Sequence, residues 1–223
     1  MSELSESAVL HTLRLKGVCS VTSVAERTGV GVDALESTLG RYRESGLVTL
    51  HRGDLAGWAL TAAGRARNEE LLTREIDSHG VRSAVELAYR SFLELNQPVL
   101  AVCTDWQVVL GSEPLVLNDH TDEAYDASVL QRLDSLHAAA LRMLADLQQA
   151  VGRFADYDER LGNALARSRS GEVDWVTRPV IDSYHTVWFE LHEDMLATLG
   201  LRRSDERRRT AGATERTPQG ELR

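Results

Sequence analysis

The residues best suited to chemistry gather late in the chain. Residues 184–194 read Tyr-His-Thr-Val-Trp-Phe-Glu-Leu-His-Glu-Asp. His185 and His192 stand seven residues apart, with Trp188 between them, in a run whose apolar pattern predicts a helix. Imidazole changes charge near neutral pH, and buried imidazole and indole groups need hydrogen-bond partners. His137 lies on a second apolar stripe. A polar loop supplies Asn118, His120, Asp122 and Asp126 beside Tyr125, and Trp106 precedes it. Arg153, Tyr157 and Arg160 add further hydrogen-bonding groups.

Three arrangements fit these residue types. The first is a polar-lined pocket for a small effector inside a helical bundle. The second is a structural network of buried polar groups. The third is a metal site. Seven residues of helix separate two imidazoles by about 10 Å, too far for one ion to bridge. His185 or His192 would need His120, Asp122 or His137 to complete a ligand set. The expectation is a ligand site lined by Trp106, His120, Tyr125, Tyr184, His185, Trp188 and His192, with no metal and no cofactor.

Signatures of catalysis are missing from the sequence. It has no G-x-G-x-x-G, P-loop, G-x-S-x-G or H-E-x-x-H pattern. His192-Glu193 lacks the second histidine of a zincin. Cys19 and Cys103 form no CxxC pair and read as inert thiols. No enzymatic activity is expected.

The elements that must hold these groups are helical. Residues 127–151 carry Leu133, His137, Ala140, Leu144, Leu147 and Val151 at alternating spacings of four and three. That broad apolar face predicts a bundle helix. Residues 81–95 form another. Asn96 is placed to cap a further helix over 98–110, with Pro98 in its first turn. A loop follows over 111–123. The last two helices are expected over 154–169 and 178–199, the latter with Pro179 in its first turn. Residues from 202 onward show no apolar period and are expected to be disordered.

The first third has a different grammar. Residues 5–15 predict a helix. Residues 20–29 predict a short helix closed by Gly29, and 33–45 a third helix after a compact Gly29-Val-Gly31 turn. Leu35, Leu39 and Tyr42 fix its inner face; Ser37, Gly40, Arg41 and Glu44 lie opposite, with Thr38 and Arg43 on the flanks. Two short extended runs around a glycine-bearing turn follow, over 49–61. Thr61 is placed to cap the next helix.

The run Ser45-Gly-Leu-Val48, a basic hairpin and Leu60-Thr-Ala-Ala-Gly-Arg65 resemble the wing region of MarR- and PadR-type winged-helix regulators. The resemblance covers about residues 5–67. It implies that the helix before Gly46 is a recognition helix, with Ser37, Thr38, Arg41 and Arg43 toward DNA. It also implies that His51 and Arg52 of the wing reach the backbone or minor groove. The short wing and the acidic Asp33 and Glu36 depart from the family pattern.

The fold class expected is mainly α: a winged helix of three helices and a β-hairpin over 1–67, an all-helical bundle over 68–201, and a tail over 202–223. The net charge of −9 is unevenly spread. Residues 1–67 hold eight basic and seven acidic residues, 68–201 ten and twenty-three, and 202–223 seven and four. There is no apolar run of about eighteen residues, so no membrane partner is expected. The acidic N-terminus carries no secretory pattern, so a cytoplasmic location with reduced thiols is expected. The functional expectation is a DNA-binding transcriptional regulator, a homodimeric repressor, with double-stranded DNA, a second copy and a small-molecule effector as partners. The alternatives are a helical enzyme or metal-binding domain with an attached winged helix, and a protein–protein module whose winged helix does not bind DNA.

Overall fold

The computed structural model describes residues 5–53, 56–109, 111 and 116–202. It is mainly helical, with one two-stranded antiparallel sheet. The described residues form two compact units. One comprises those up to Glu75 with those from Leu196 on; the other is Ile76–Met195. The tail expected to be disordered falls outside the described residues from Arg203 onward.

The second unit holds the long helices. α5 spans Arg82–Gln107 and α6 spans Glu123–Ala150. These two pair most extensively. Val85, Phe92, Val99, Val102 and Trp106 are buried on α5, and Val129, Leu133, Ala140, Leu144 and Leu147 on α6. A short 3₁₀ turn, Gly152–Phe154, leads to α7 over Tyr157–Arg169. α8 is brief, Asp174–Thr177, and α9 spans Tyr184–Leu199.

Several boundaries differ from the sequence expectation. Residues 81–95 and 98–110 are not two helices: α5 runs through Pro98 without a break. Asn96 does not cap; its side-chain oxygen accepts from Trp188 Nε1 at 3.0 Å. Pro98 is exposed, so the carbonyl it leaves without a helical donor can meet water, while the apolar face continues beneath it. α5 then stops at Gln107, and Val108 bridges Leu117 across the loop.

α6 starts earlier than expected because Asp122 is its cap. The Asp122 carboxylate accepts from the Ala124 and Tyr125 amides, each at 3.0 Å. α9 starts later, at Tyr184 rather than 178. Arg178 is extended ahead of Pro179, as the proline ring demands. Ser183 Oγ takes the capping role, accepting from the Thr186 amide at 3.3 Å.

The first unit begins with α1, Glu6–Lys16, α2, Val21–Thr28, and α3, Val32–Glu44. Ser20 Oγ accepts from the Ser23 amide at 3.1 Å to cap α2. Gly29 closes that helix in the left-handed region at φ 68°, which costs glycine nothing. β1, Val48–His51, pairs antiparallel with β2, Gly57–Leu60, with Val48 opposite Leu60 and His51 opposite Gly57. Cys19 adds a bridge to Trp58 through two backbone hydrogen bonds of 3.1 and 2.8 Å. Val9, Leu10 and Leu13 of α1, Val24 of α2, Leu35 and Leu39 of α3, and Val48 and Leu60 of the sheet form one core. Each such side chain contributes about 1.5–3 kcal/mol when fully buried.

α4, Ala62–Ser78, starts where the hairpin ends. Thr61 Oγ1 accepts from the Gly64 amide at 3.0 Å, as a cap should, and donates to the Gly46 carbonyl at 2.6 Å. The Thr61 amide donates to the Leu47 carbonyl at 3.0 Å. Gly64 lies hard against that same carbonyl: a Cβ there would be 1.9 Å from Leu47 O. Pairs across α1 and α4 add Arg67 with Glu6, at 2.9 and 3.1 Å, and Arg14 with Glu69 at 3.4 Å.

Gly64→Ala sets two effects against each other. Alanine favours a helix by about 1 kcal/mol. The clash is with backbone, which cannot swing aside, and overpacking of this kind costs about 1–3 kcal/mol. Net destabilisation is expected in urea unfolding; a more stable Gly64→Ala protein would contradict the close approach.

Candidate functional site

On α3, Ser37, Arg41 and Arg43 are exposed, and so are Asp33 and Glu36. Thr38 is not: it is 3% exposed, and Arg41 Nη2 donates to its hydroxyl at 3.0 Å. The threonine side chain is therefore buried, with its hydroxyl on the Arg41 guanidinium. Helical spacing alone put it on the flank. His51 ends β1 and Arg52 follows it, both exposed at the hairpin turn. Gly53 follows them with φ 95°.

Of the seven residues expected to line a ligand site, six fall into two groups by their contacts. Trp106, His120 and Tyr125 form one. The Trp106 and His120 rings lie 4.6 Å apart. His120 has a left-handed backbone, φ 59°, uncommon for a non-glycine residue. Its amide donates to Asn118 Oδ1 at 3.1 Å, and its Nδ1 pairs with Asp126 at 2.9 Å. Asn118 Nδ2 donates to Asp126 at 2.8 Å and to the Trp106 carbonyl at 3.1 Å. Tyr125 Oη lies 2.8 and 2.9 Å from the carbonyl oxygens of Asp105 and Val108. Trp106 Nε1 donates to the Val173 carbonyl at 3.0 Å. These polar groups serve to hold the loop over 116–122 against α5 and α6.

Tyr184, Trp188 and His192 form the second group, along α9. Trp188 stacks on Phe92 at 4.6 Å, and His192 lies 4.8 Å from the same ring. Tyr184 Oη reaches His137 Nδ1 at 3.4 Å. The far edge of His137 approaches Gly162, where a Cβ would be 3.9 Å from Nε2. Burial raises the Tyr184 phenol above its ordinary pKa, with Cys103 and Asp134 nearby adding to the shift. Burial also pushes the Cys103 thiol up to about 12, so it is no nucleophile at neutral pH. His137 is held below its ordinary pKa, first by burial and then by the Arg169 guanidinium. His185 is half-buried and shifted down by burial alone, and among the described residues its ring makes no hydrogen bond or ion pair.

Sequence reasoning missed the acidic half of this interior. Arg160 makes a bidentate pair with Glu190 at 3.0 and 2.9 Å and a third bond to Asp182 at 2.9 Å. Glu190 is 5% exposed. Asp194, 1% exposed, accepts from Tyr157 Oη at 3.1 Å and lies 3.5 Å from Arg153 Nε. Arg132 pairs with buried Asp105 at 2.6 Å. A signal was present: Glu190 and Asp194 stand in an otherwise apolar run, and a buried charge requires a partner.

Among the described residues, no group of three or more His, Cys, Asp or Glu side chains is placed to hold a metal ion. None of their helices is long and apolar enough to cross a membrane. No protein-family model, curated protein or solved structure matches the chain.

Two outcomes follow. Arg160→Met strands the Glu190 carboxylate in the interior and should cost roughly 3–5 kcal/mol in chemical unfolding; a loss near zero would mean that the bidentate pair is not formed. The histidines supply the second. His137 and His185 are neutral more readily in the folded chain than in the unfolded one. The unfolded chain therefore takes up protons first as the pH falls. The associated stability is present above an imidazole's ordinary 6.5 and is lost as the pH drops below it toward the folded values. Melting temperatures should fall less on acidification in a His137→Gln/His185→Gln double variant than in wild type; equal falls would refute the assignment.

Proposed function

We propose that the chain is a DNA-binding transcriptional regulator with a winged-helix reading unit, acting as a homodimeric repressor that responds to a small-molecule effector. The observation that carries this reading is local. α2, a Gly-bearing turn and α3 precede a β-hairpin, and arginines are exposed on both α3 and the hairpin turn. A helix of this kind fits the major groove while the hairpin reaches the flanking backbone. In this reading Arg41 contacts a base or phosphate, with Ser37 and Arg43 beside it, and His51 and Arg52 contact the flanking strand. Thr38 orients Arg41 instead of touching DNA. A single reading unit contacts a short half-site; two copies about a two-fold axis read a palindrome with added affinity.

The helical unit is the effector-binding part. His185 is the group best suited to a ligand, because Trp106, Tyr125 and Trp188 already spend their polar atoms on protein partners. An effector would act by binding one spacing of the two reading units better than the other. The exposed Asp33 and Glu36 on α3 favour a second reading, a protein-docking unit, since carboxylates repel phosphate.

Duplex DNA from the region upstream of the protein's own coding sequence separates the readings. Arg41→Ala should weaken binding by about 1–3 kcal/mol and relax sequence preference. Arg52→Ala should weaken all sequences alike. Unchanged affinity in the Arg41→Ala/Arg52→Ala double variant would exclude this docking. His185→Ala should retain folding and DNA binding but lose release by the effector; a large loss of thermal stability with release intact would make His185 structural.

A further inference from the structure

Glycine inside a helix ordinarily answers a need of the backbone or of packing. Gly64 of α4 is the second case, with the Leu47 carbonyl where its Cβ would be. Gly40, ninth of the thirteen residues of α3, is neither. Its φ is not positive, and a Cβ built on it would meet nothing within 4 Å. Alanine would fit there and would favour the helix. The fold alone gives no reason for the missing side chain.

Gly40 sits on the outward face of α3. Leu35, Thr38 and Leu39 are buried, whereas Glu36, Ser37, Arg41 and Arg43 are exposed. Arg41 and Arg43 are about 200° apart around the helix, and Gly40 falls between them on the side away from the core. Two guanidinium groups thus stand at the margins of a stretch of bare backbone. One turn before Gly40 stands Glu36. Asp33 belongs to the first turn, where a carboxylate favours the helix dipole, but Glu36 has no such reason. The position four residues on, where a basic side chain would pair with it, is Gly40 itself. Among the described residues the Glu36 carboxylate makes no hydrogen bond or ion pair.

We infer that the base edges of the major groove lie directly against the α3 backbone at Gly40, and that Glu36 reads a cytosine there by accepting from its N4 amino group. The inference rests on the DNA-binding reading above and names a base which that reading leaves open. A helix with no Cβ at the centre of its outward face seats deeper between the groove walls, and the arginines at its margins then meet the phosphates. At that depth the Glu36 carboxylate faces base edges, not phosphates. Cytosine presents an amino donor with no acceptor beside it, and a carboxylate only accepts, so the two match.

The test uses the full chain, selection from a randomised duplex pool, and fluorescence anisotropy on the selected duplex. Wild type should prefer C·G by about tenfold or more at one position of the half-site. Glu36→Gln should lose that preference and move it toward A·T, because glutamine matches the donor and acceptor of adenine. Gly40→Ala should unfold at a higher urea concentration than wild type, yet bind the selected duplex about tenfold or more weakly. Wild-type affinity in Gly40→Ala, or a C·G preference that survives Glu36→Gln, would overturn this inference alone. Tighter binding by Glu36→Gln with unchanged preference would do the same, because the carboxylate would then only repel phosphate. A Gly40→Ala protein less stable than wild type would give the glycine a structural reason and overturn the close approach. Failure of wild type to select or bind any duplex would end both this inference and the DNA-binding reading.

Discussion

The contact of Gly64 with the Leu47 carbonyl sets the geometry of the first unit. That carbonyl accepts from the Thr61 amide, while the Leu47 amide donates to the Tyr42 carbonyl at the end of α3. One residue thus ties α3, the hairpin and the start of α4 together. Thr61 reinforces the joint by capping α4 and bonding to Gly46. The placement of Arg41 and Arg43 of α3 relative to Arg52 of the hairpin turn depends on this joint. A side chain at Gly64 would push the two apart.

The second unit is built on a different principle. Its helices bury carboxylates and guanidinium groups among aromatic rings, and nearly every such group has a partner. Breaking one pair costs more than the pair contributes, because the remaining charge is stranded in low dielectric. The N–H and O–H groups of Trp106, Tyr125, Tyr157, Tyr184 and Trp188 obey the same rule, each meeting a carbonyl, carboxamide, carboxylate or imidazole. A site for an outside ligand must therefore use what is left over, and His185 is the clearest such group on α9.

Much of the architecture was legible from periodicity and turn chemistry. The short helix ended by Gly29, the run anchored by Leu35 and Leu39, the cap at Thr61 and the long apolar face of α6 follow from local rules. Pro98 misled because a proline with a preceding asparagine looks like a helix start, while the deciding contact, Asn96 with Trp188, spans ninety-two residues. Thr38 was misplaced for a related reason: its burial comes from the surrounding elements, not from its position on the helix. The site residues were legible as types but not as groupings. His120 was separable from His185 only once the loop was seen to close on Asp126. The acidic partners of Arg160 and Arg153 required α7 and the 3₁₀ turn before it to meet α9.

In the proposed reading, α3 and the hairpin turn form a DNA-contacting face. Hydrogen–deuterium exchange with and without the upstream duplex tests it most directly. Slower exchange is expected along 32–44 and through 48–60, with residues 123–150 unchanged except where effector is added. Protection confined to the helical unit, or none anywhere at saturating DNA, would contradict it.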